Sequence, residues 1–142
     1  MRLLTSLILF AFYSGFAMSA ELTGLWLGSY YYDKPQAGED RAFDFSIVFE
    51  QEANKLAGKA LEPRYFGDNN EAALLSRIVG LTDGKRVWFN KTYDGSAGQT
   101  HTVKYDLVIQ ADETMMLGTW HIPGSDRSGK VKIYKVISEK DF

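Results

Sequence analysis

From residue 22 onward the sequence alternates apolar and polar residues in eight short segments, and this pattern constrains the fold more than any other feature. Successive side chains of a β-strand point to opposite faces, so such alternation predicts strands with one buried face. No helical spacing of apolar residues follows residue 20. The predicted strands span residues 22–32, 43–51, 55–62, 73–81, 85–93, 102–110, 114–122 and 129–137.

The connections between these segments alternate in length. Short links join the second segment to the third, the fourth to the fifth and the sixth to the seventh, whereas the other four links are longer. In an up-and-down sheet successive links fall at opposite ends, so all the long loops gather at one end. We therefore predict an all-β fold, an eight-stranded antiparallel up-and-down β-barrel with one plugged end and one open mouth.

Two-residue turns at residues 53–54, 83–84 and 112–113 predict the register of three hairpins. This register places large residues opposite small ones on the inward face and polar residues on the outward face. A slip of one residue would exchange the two faces, so the agreement of three hairpins supports the prediction. The predicted inward pairs include Phe49–Gly58, Ile47–Ala60, Gly80–Val87, Ile78–Phe89, Ser76–Lys91, Leu107–Gly118 and Tyr105–Trp120.

The first strand places a tryptophan between two glycines, in the order Gly24, Trp26 and Gly28. The inward side chains of a narrow barrel cannot all be large, so we expect the glycines to leave room for the indole ring. Gly118 is expected to do the same for Trp120. Lys135 on the last strand is expected to cover Trp26 through a cation–π contact.

These features resemble the calycin superfamily, which includes lipocalins, fatty-acid-binding proteins and avidins. The resemblance rests on Gly24-Leu25-Trp26, on eight strands, on long loops at one end, and on a basic residue, Lys135, in the last strand. Lipocalins usually carry arginine there, and often disulfides and a further helix. Only SEKDF follows here, so the outline is closer to avidins. The residues that hold biotin in avidins do not map onto this sequence.

The first 20 residues are predicted to be a cleaved signal peptide, with Arg2, an apolar stretch and small residues before the cleavage site. Cleavage after residue 19 or 20 leaves a β-barrel domain of about residues 21–142, and the protein is expected to be periplasmic or secreted. The chain has no cysteine, and loss of Arg2 leaves a net charge of −3 without a basic patch. We therefore expect no nucleic-acid partner.

Near the mouth the inward positions combine aromatic walls with a few polar groups, which is typical of a small-molecule pocket. Glu62 and Lys91 stand out, because an inward charge is costly unless it is paired or hydrated. They orient a polar ligand head, or they form an ion pair with each other, or Lys91 reaches out to water at the rim. The predicted ligand-binding residues are Tyr30, Tyr32, Phe45, Glu62, Lys91, Tyr93, Tyr105 and Trp120, with Phe43 on the same face.

Catalysis is not expected. Cysteine is absent, no serine-elbow motif is found, and the two histidines lie in a loop (His101) and on the outward face (His121). No spacing of ligands predicts a metal site or a cofactor.

The outward face carries apolar residues at Val79, Trp88, Val108 and Leu117, where we expect a protein partner or homo-oligomer contact. Membrane insertion is not expected, because charged residues such as Arg77 share that face.

Two hypotheses of function follow. In the first, the exported barrel binds a largely apolar or aromatic small molecule through its open end. In the second, the interior is solid and the mouth loops bind a protein, with Tyr65 and Phe66 as contacts unless these rings fold back on the barrel. The volume of the cavity under the mouth distinguishes the two.

Overall fold

The computed structural model describes residues 20–67 and 73–138, which form one closed barrel of eight antiparallel strands in sequence order. Each strand pairs with the next, and β1 also pairs with β8. The predicted all-β meander is therefore confirmed. The strands are β1 Gly24–Tyr32, β2 Phe43–Glu52, β3 Lys55–Pro63, β4 Ala73–Thr82, β5 Arg86–Tyr93, β6 Thr102–Ile109, β7 Met115–His121 and β8 Ser128–Lys135.

The predicted signal peptide lies outside the described residues except for Ala20, and so does nearly all of the SEKDF segment. Among the described residues, no helix is long and apolar enough to cross a membrane. The four longer loops lie at one end of the barrel and the three tight connections lie at the other, as the pattern of link lengths predicts.

Two of the three predicted hairpin registers are confirmed. Phe49 pairs with Gly58 and Tyr105 pairs with Trp120. The register of β4 and β5 differs by two residues, because Gly80 lies opposite Phe89 rather than Val87. The turn is centred one residue further along the chain, on Gly84-Lys85, since the Asp83 N–H donates to the Arg86 carbonyl at 3.3 Å. The Asp83 carboxylate accepts from the backbone N–H groups of Lys85 and Arg86 in this turn.

A shift of two residues keeps every side chain on its predicted face. It does change the partners, which are now Ser76–Tyr93, Ile78–Lys91, Arg77–Thr92, Val79–Asn90 and Leu81–Trp88.

The tight-turn end is plugged by Trp26 and the segment that precedes β1. The indole N–H of Trp26 donates a hydrogen bond to the Leu22 carbonyl at 2.8 Å, and both side chains are fully buried. Lys135 lies over the indole ring, with Nζ 5.9 Å from the ring centroid, and donates to the Glu21 carbonyl at 2.8 Å. The predicted cation–π contact is confirmed.

The expectation that Gly24, Gly28 and Gly118 leave room for the two indole rings is wrong, and a Cβ atom on Gly24 would meet only the Lys135 side chain, at 3.8 Å. A Cβ atom on Gly28 would lie 2.5 Å from the Phe45 ring, so Gly28 accommodates Phe45 rather than Trp26. A Cβ atom on Gly129, on the neighbouring strand, would meet the Tyr31 carbonyl and then the Trp120 indole, and a Cβ atom on Gly118 would meet the backbone of β6. Close packing of strands and rings thus explains these positions.

Candidate functional site at the barrel mouth

Six strands bring the predicted site residues together in the mouth half of the barrel. All eight point inward, and all except the half-buried Tyr32 are at most 5% exposed. Five of them surround the Lys91 ammonium group, whereas Tyr32 and Trp120 pack against each other, with ring centroids 5.0 Å apart. The contributing strands are β1 (Tyr30, Tyr32), β2 (Phe45), β3 (Glu62), β5 (Lys91, Tyr93), β6 (Tyr105) and β7 (Trp120).

Lys91 and Glu62 form a buried ion pair. Lys91 Nζ lies 3.3 Å from Glu62 Oε1, and both side chains are almost inaccessible to solvent. The Tyr93 hydroxyl donates a short hydrogen bond to the same oxygen. The other carboxylate oxygen, Glu62 Oε2, is buried without a hydrogen-bond partner among the described residues. The structure therefore shows the mutual pair, with one acceptor left over, and Lys91 does not reach out to water at the rim.

Four aromatic rings enclose the Lys91 ammonium group. Nζ lies 4.8 Å from the Tyr93 ring centroid and 5.5 to 5.8 Å from the centroids of Phe45, Tyr105 and Tyr30. The negative face of an aromatic ring attracts a cation, and the attraction is strongest where water is excluded. These rings thus offset part of the cost of removing the ammonium group from water.

Burial dominates the electrostatics of the cluster. It lowers the pKa of Lys91, while the nearby Glu62 charge acts in the opposite direction. Burial, reinforced by the Glu62 charge, raises the pKa of Tyr30, Tyr93 and Tyr105 above the ordinary value. The three phenols therefore keep their protons at neutral pH, and that of Tyr93 donates to Glu62.

A cavity of about 30 Å³ lies between this cluster and the mouth. It has room for about one or two water molecules, far below the roughly 300–1,000 Å³ of pockets that hold drug-sized ligands. The barrel interior is thus nearly filled by its own side chains. Residues that line the cavity include Tyr32, Phe66, Lys91, Tyr93, His101 and Tyr105.

The rim of the mouth is held by an ion pair between two loops. Arg127, just before β8, places its guanidinium 4.2 Å from the centroid of the Tyr32 ring and donates to Glu39 in the β1–β2 loop at 2.6 Å. Hydrogen bonding to Arg127 lowers the pKa of Glu39, so the pair persists into mildly acidic solution. This contact joins two of the four mouth loops and fixes the Tyr32 ring.

The loop aromatics after β3 fold back on the barrel. The Tyr65 ring lies 4.9 Å from that of Phe43, and its hydroxyl accepts a hydrogen bond from the Asp44 N–H at 3.1 Å. Phe66 packs edge-on against Tyr93 at 5.9 Å. These rings therefore belong to the wall of the mouth.

Four residues line the cavity beyond the predicted set: Phe66, His101, Val103 and Ile122. Val103 shares the inward parity of Tyr105, so the alternation pattern alone predicts its position. Ile122 shares the inward parity of Trp120 in the predicted strand 114–122, although the observed β7 ends at His121. Phe66 and His101 lie in loops, where parity gives no direction. Burial, and then the Lys91 charge, lowers the pKa of His101.

No protein-family model matches the sequence, and a comparison with curated proteins finds no relative. The class is therefore defined by the fold and the site alone. The protein is a closed eight-stranded up-and-down β-barrel with a buried charged cluster beneath an aromatic mouth.

Proposed function

We propose that the protein binds a small molecule at the open end of its barrel. A neutral polar group of the ligand enters the small cavity beside Lys91 and Tyr93, and its aromatic or apolar part lies against the mouth. The observation that carries this proposal is the buried Lys91–Glu62 pair beneath the mouth, with Glu62 Oε2 unpartnered. The predicted signal peptide further supports an exported protein.

A buried ion pair is a poor choice for stability alone, because hydrophobic side chains of similar volume often stabilise a core as well or better. A buried acceptor without a partner costs about 1–3 kcal/mol more. Such a group calls for an explanation, such as an ordered water or a ligand. A ligand hydroxyl or amide in the cavity would accept from the remaining N–H groups of Lys91, which lines it.

The cluster favours a neutral head group over a charged one. Lys91 and Glu62 already compensate each other, so a third charge at this depth would be buried without a counter-charge. The size of the cavity, about 30 Å³, admits only the end of a ligand. The remainder would lie among Tyr32, Phe66 and Ile122. Eight-stranded barrels of lipocalins and streptavidin also hold one small ligand, which agrees with the calycin resemblance.

The test uses benzyl alcohol and benzamide as neutral probes, with benzoate and benzylamine as charged counterparts of similar size. We expect the neutral probes to shift the backbone amide resonances of Lys91 and Tyr93, and the charged probes to bind at least about tenfold more weakly. Native mass spectrometry of protein from its own source is expected to show one retained small molecule.

Tyr93→Phe, which removes the hydroxyl bonded to Glu62, is expected to weaken binding of the neutral probes. Tyr134→Phe, on the exposed face of β8, is the matched control and is expected to leave binding unchanged. The proposal fails if no probe shifts the amides of the cluster and no small molecule is retained.

A second candidate is protein recognition through the mouth loops, which the nearly filled interior favours. Tyr65 and Phe66 pack against the barrel, so a partner would meet the loop surface rather than these rings alone. A partner that is captured by the unmodified protein, retained by Tyr93→Phe and lost on Tyr65→Ala and Phe66→Ala would favour this candidate over the first.

A further inference from the structure

The outer surface of the barrel carries an open groove of about 1080 Å³, on the opposite side of the sheet from Lys91. It runs across the strands from β2 to β7, between two rows of directly paired residues. The first row is Glu50, Ala57, Val79, Asn90, Lys104 and His121, and the second is Glu52, Lys55, Leu81, Trp88 and Asp106.

The centre of the groove is apolar and exposed. Val79 is 59% exposed, Leu81 50% and Trp88 38%, and Leu81 lies directly opposite Trp88 on the neighbouring strand. A contiguous apolar surface of this kind is typical of an interaction site.

The two ends of the groove carry opposite charges. Both oxygens of Asp106 accept from Arg86 at 2.7 Å, and Glu52 lies directly opposite Lys55, so these four residues add no net charge to the groove. Among the described residues, Glu50 and Lys104 form no ion pair. Glu50 stands at the β2 end of the row and Lys104 stands next to His121 at the other end, so the groove carries a negative charge on β2 and a positive charge on β6.

Glu50 and Lys104 are four strand-to-strand steps apart. At about 4.8 Å per step, the charges are roughly 19 Å apart along the groove. An extended chain rises about 3.3 Å per residue, so about six residues cover this distance.

We propose that this groove binds an extended peptide segment of another protein. The segment carries a basic residue over Glu50, apolar side chains over Val79, Leu81 and Trp88, and an acidic residue about six positions away over Lys104. A concave groove requires a convex occupant. A second copy would bring the same concave face, and two facing grooves would leave the apolar centre unfilled.

The experiment selects binders from a random heptapeptide library on the immobilised protein, with counter-selection on Trp88→Ser. Selected peptides are then synthesised with a fluorophore, and their affinity is measured by fluorescence anisotropy. We expect an enriched pattern in which a basic and an acidic residue flank apolar residues.

Charge exchange tests the orientation of the groove. Glu50→Lys or Lys104→Glu alone is expected to weaken binding about tenfold, because one end then meets a like charge. The double variant is expected to restore affinity, since an extended peptide can lie in the reverse direction. Lys130→Glu, exposed on β8, is the control and is expected to change nothing.

Three outcomes overturn the proposal. The first is the absence of any peptide enriched over the Trp88→Ser protein, and the second is enrichment that neither charge reversal changes. The third is a dimer in sedimentation velocity that Trp88→Ser abolishes, which would make the groove an interface between copies. Circular dichroism checks that Trp88→Ser is folded, and Val79→Ser serves as a second variant that leaves the indole in place.

Discussion

The residue that departs most from an ordinary barrel core is Lys91. Its ammonium group is buried among four aromatic rings and paired with a single carboxylate oxygen. Every group around it is neutral except Glu62, so the two charges depend on each other. Removing either one leaves the other buried and uncompensated.

We therefore predict that Lys91→Met destabilises the protein by about 3–5 kcal/mol, because Glu62 loses its counter-charge. The double variant Lys91→Met/Glu62→Leu is expected to recover most or all of this loss, since an apolar pair of similar volume replaces the ion pair. Urea unfolding at pH 7 measures the free energies. Lys59→Met, on the exposed face of β3, is the control and should stay within about 0.5 kcal/mol. Additive effects of the two core substitutions would show that the charges do not compensate each other.

The buried phenols predict a loss of stability in alkali. Burial raises the pKa of Tyr30, Tyr93 and Tyr105, so the folded protein keeps protons that the unfolded chain releases above about pH 10. The stability that these three tyrosines contribute is fully present below that pH. It falls as the pH rises further, by about 1.4 kcal/mol per pH unit for each proton. Lys91 acts in the opposite direction, because its lowered pKa makes stability rise with pH up to about 10.4. The net decline is therefore expected above about pH 10.

Urea unfolding at several values between about pH 9 and pH 11.5 measures this slope, and absorbance at 295 nm reports ionised tyrosine. Tyr105→Phe is expected to reduce the slope of the unfolding free energy against pH by the contribution of one proton. The exposed Tyr134→Phe is expected to leave this slope unchanged. Equal slopes for all three proteins would mean that Tyr105 titrates normally in the folded state.

At the scale of the strands, β1 and β2 pack closely because Gly28 leaves the space that the Phe45 ring occupies. Gly28 and Phe45 are direct cross-strand partners, and a Cβ atom on Gly28 would lie 2.5 Å from the ring. Gly28→Ala is therefore expected to cost about 1–3 kcal/mol through overpacking. In a Phe45→Leu background the same change should cost less, because the smaller side chain leaves space for the methyl group. Thermal unfolding of the four proteins gives the coupling energy, and additivity of the two changes would contradict direct contact.

The alternation of side chains predicts the strands well, because each strand buries only one face. Alternation alone does not predict the register of β4 and β5, because the register also depends on where the turn is centred. Asp83-Gly84 has the composition of a two-residue turn, but the observed turn is centred on Gly84-Lys85, where the Asp83 carboxylate accepts from two backbone N–H groups. The observed register differs from the predicted one by two residues, so each side chain stays on its predicted face. The predicted cross-strand partners are wrong.

Whether the barrel interior is hollow or filled could not be predicted from the alternation of side chains. Parity places Tyr30, Tyr93 and Tyr105 inward, but the same rings can line a hollow or fill it. The result depends on how the rings pack against Lys91 and against each other across strands that are distant in sequence. The mouth loops add His101 and Phe66, for which no periodic signal exists.

At the scale of the whole molecule, closure of the sheet matters most. β1 pairs with both β2 and β8, so no strand is left with a free edge. The chain has no cysteine to hold the first and last strands together, and their contact rests on backbone pairing and on the residues packed inside. The β1–β8 pairing is therefore expected to form and break together with the rest of the barrel.

Native-state hydrogen exchange tests this expectation. In an open sheet, amides of the outer strands exchange through local fraying at a lower free energy than those of the central strands. In this closed barrel, paired amides of β1 and β8 are expected to exchange only by global unfolding, with the same free energy as those of β4. Gly129→Ala forces a Cβ atom against the Tyr31 carbonyl in the β1–β8 pairing, so it should lower protection in β8 first. Exchange from β8 at a free energy several kcal/mol below that of β4 in the unmodified protein would show that the barrel opens at this pairing.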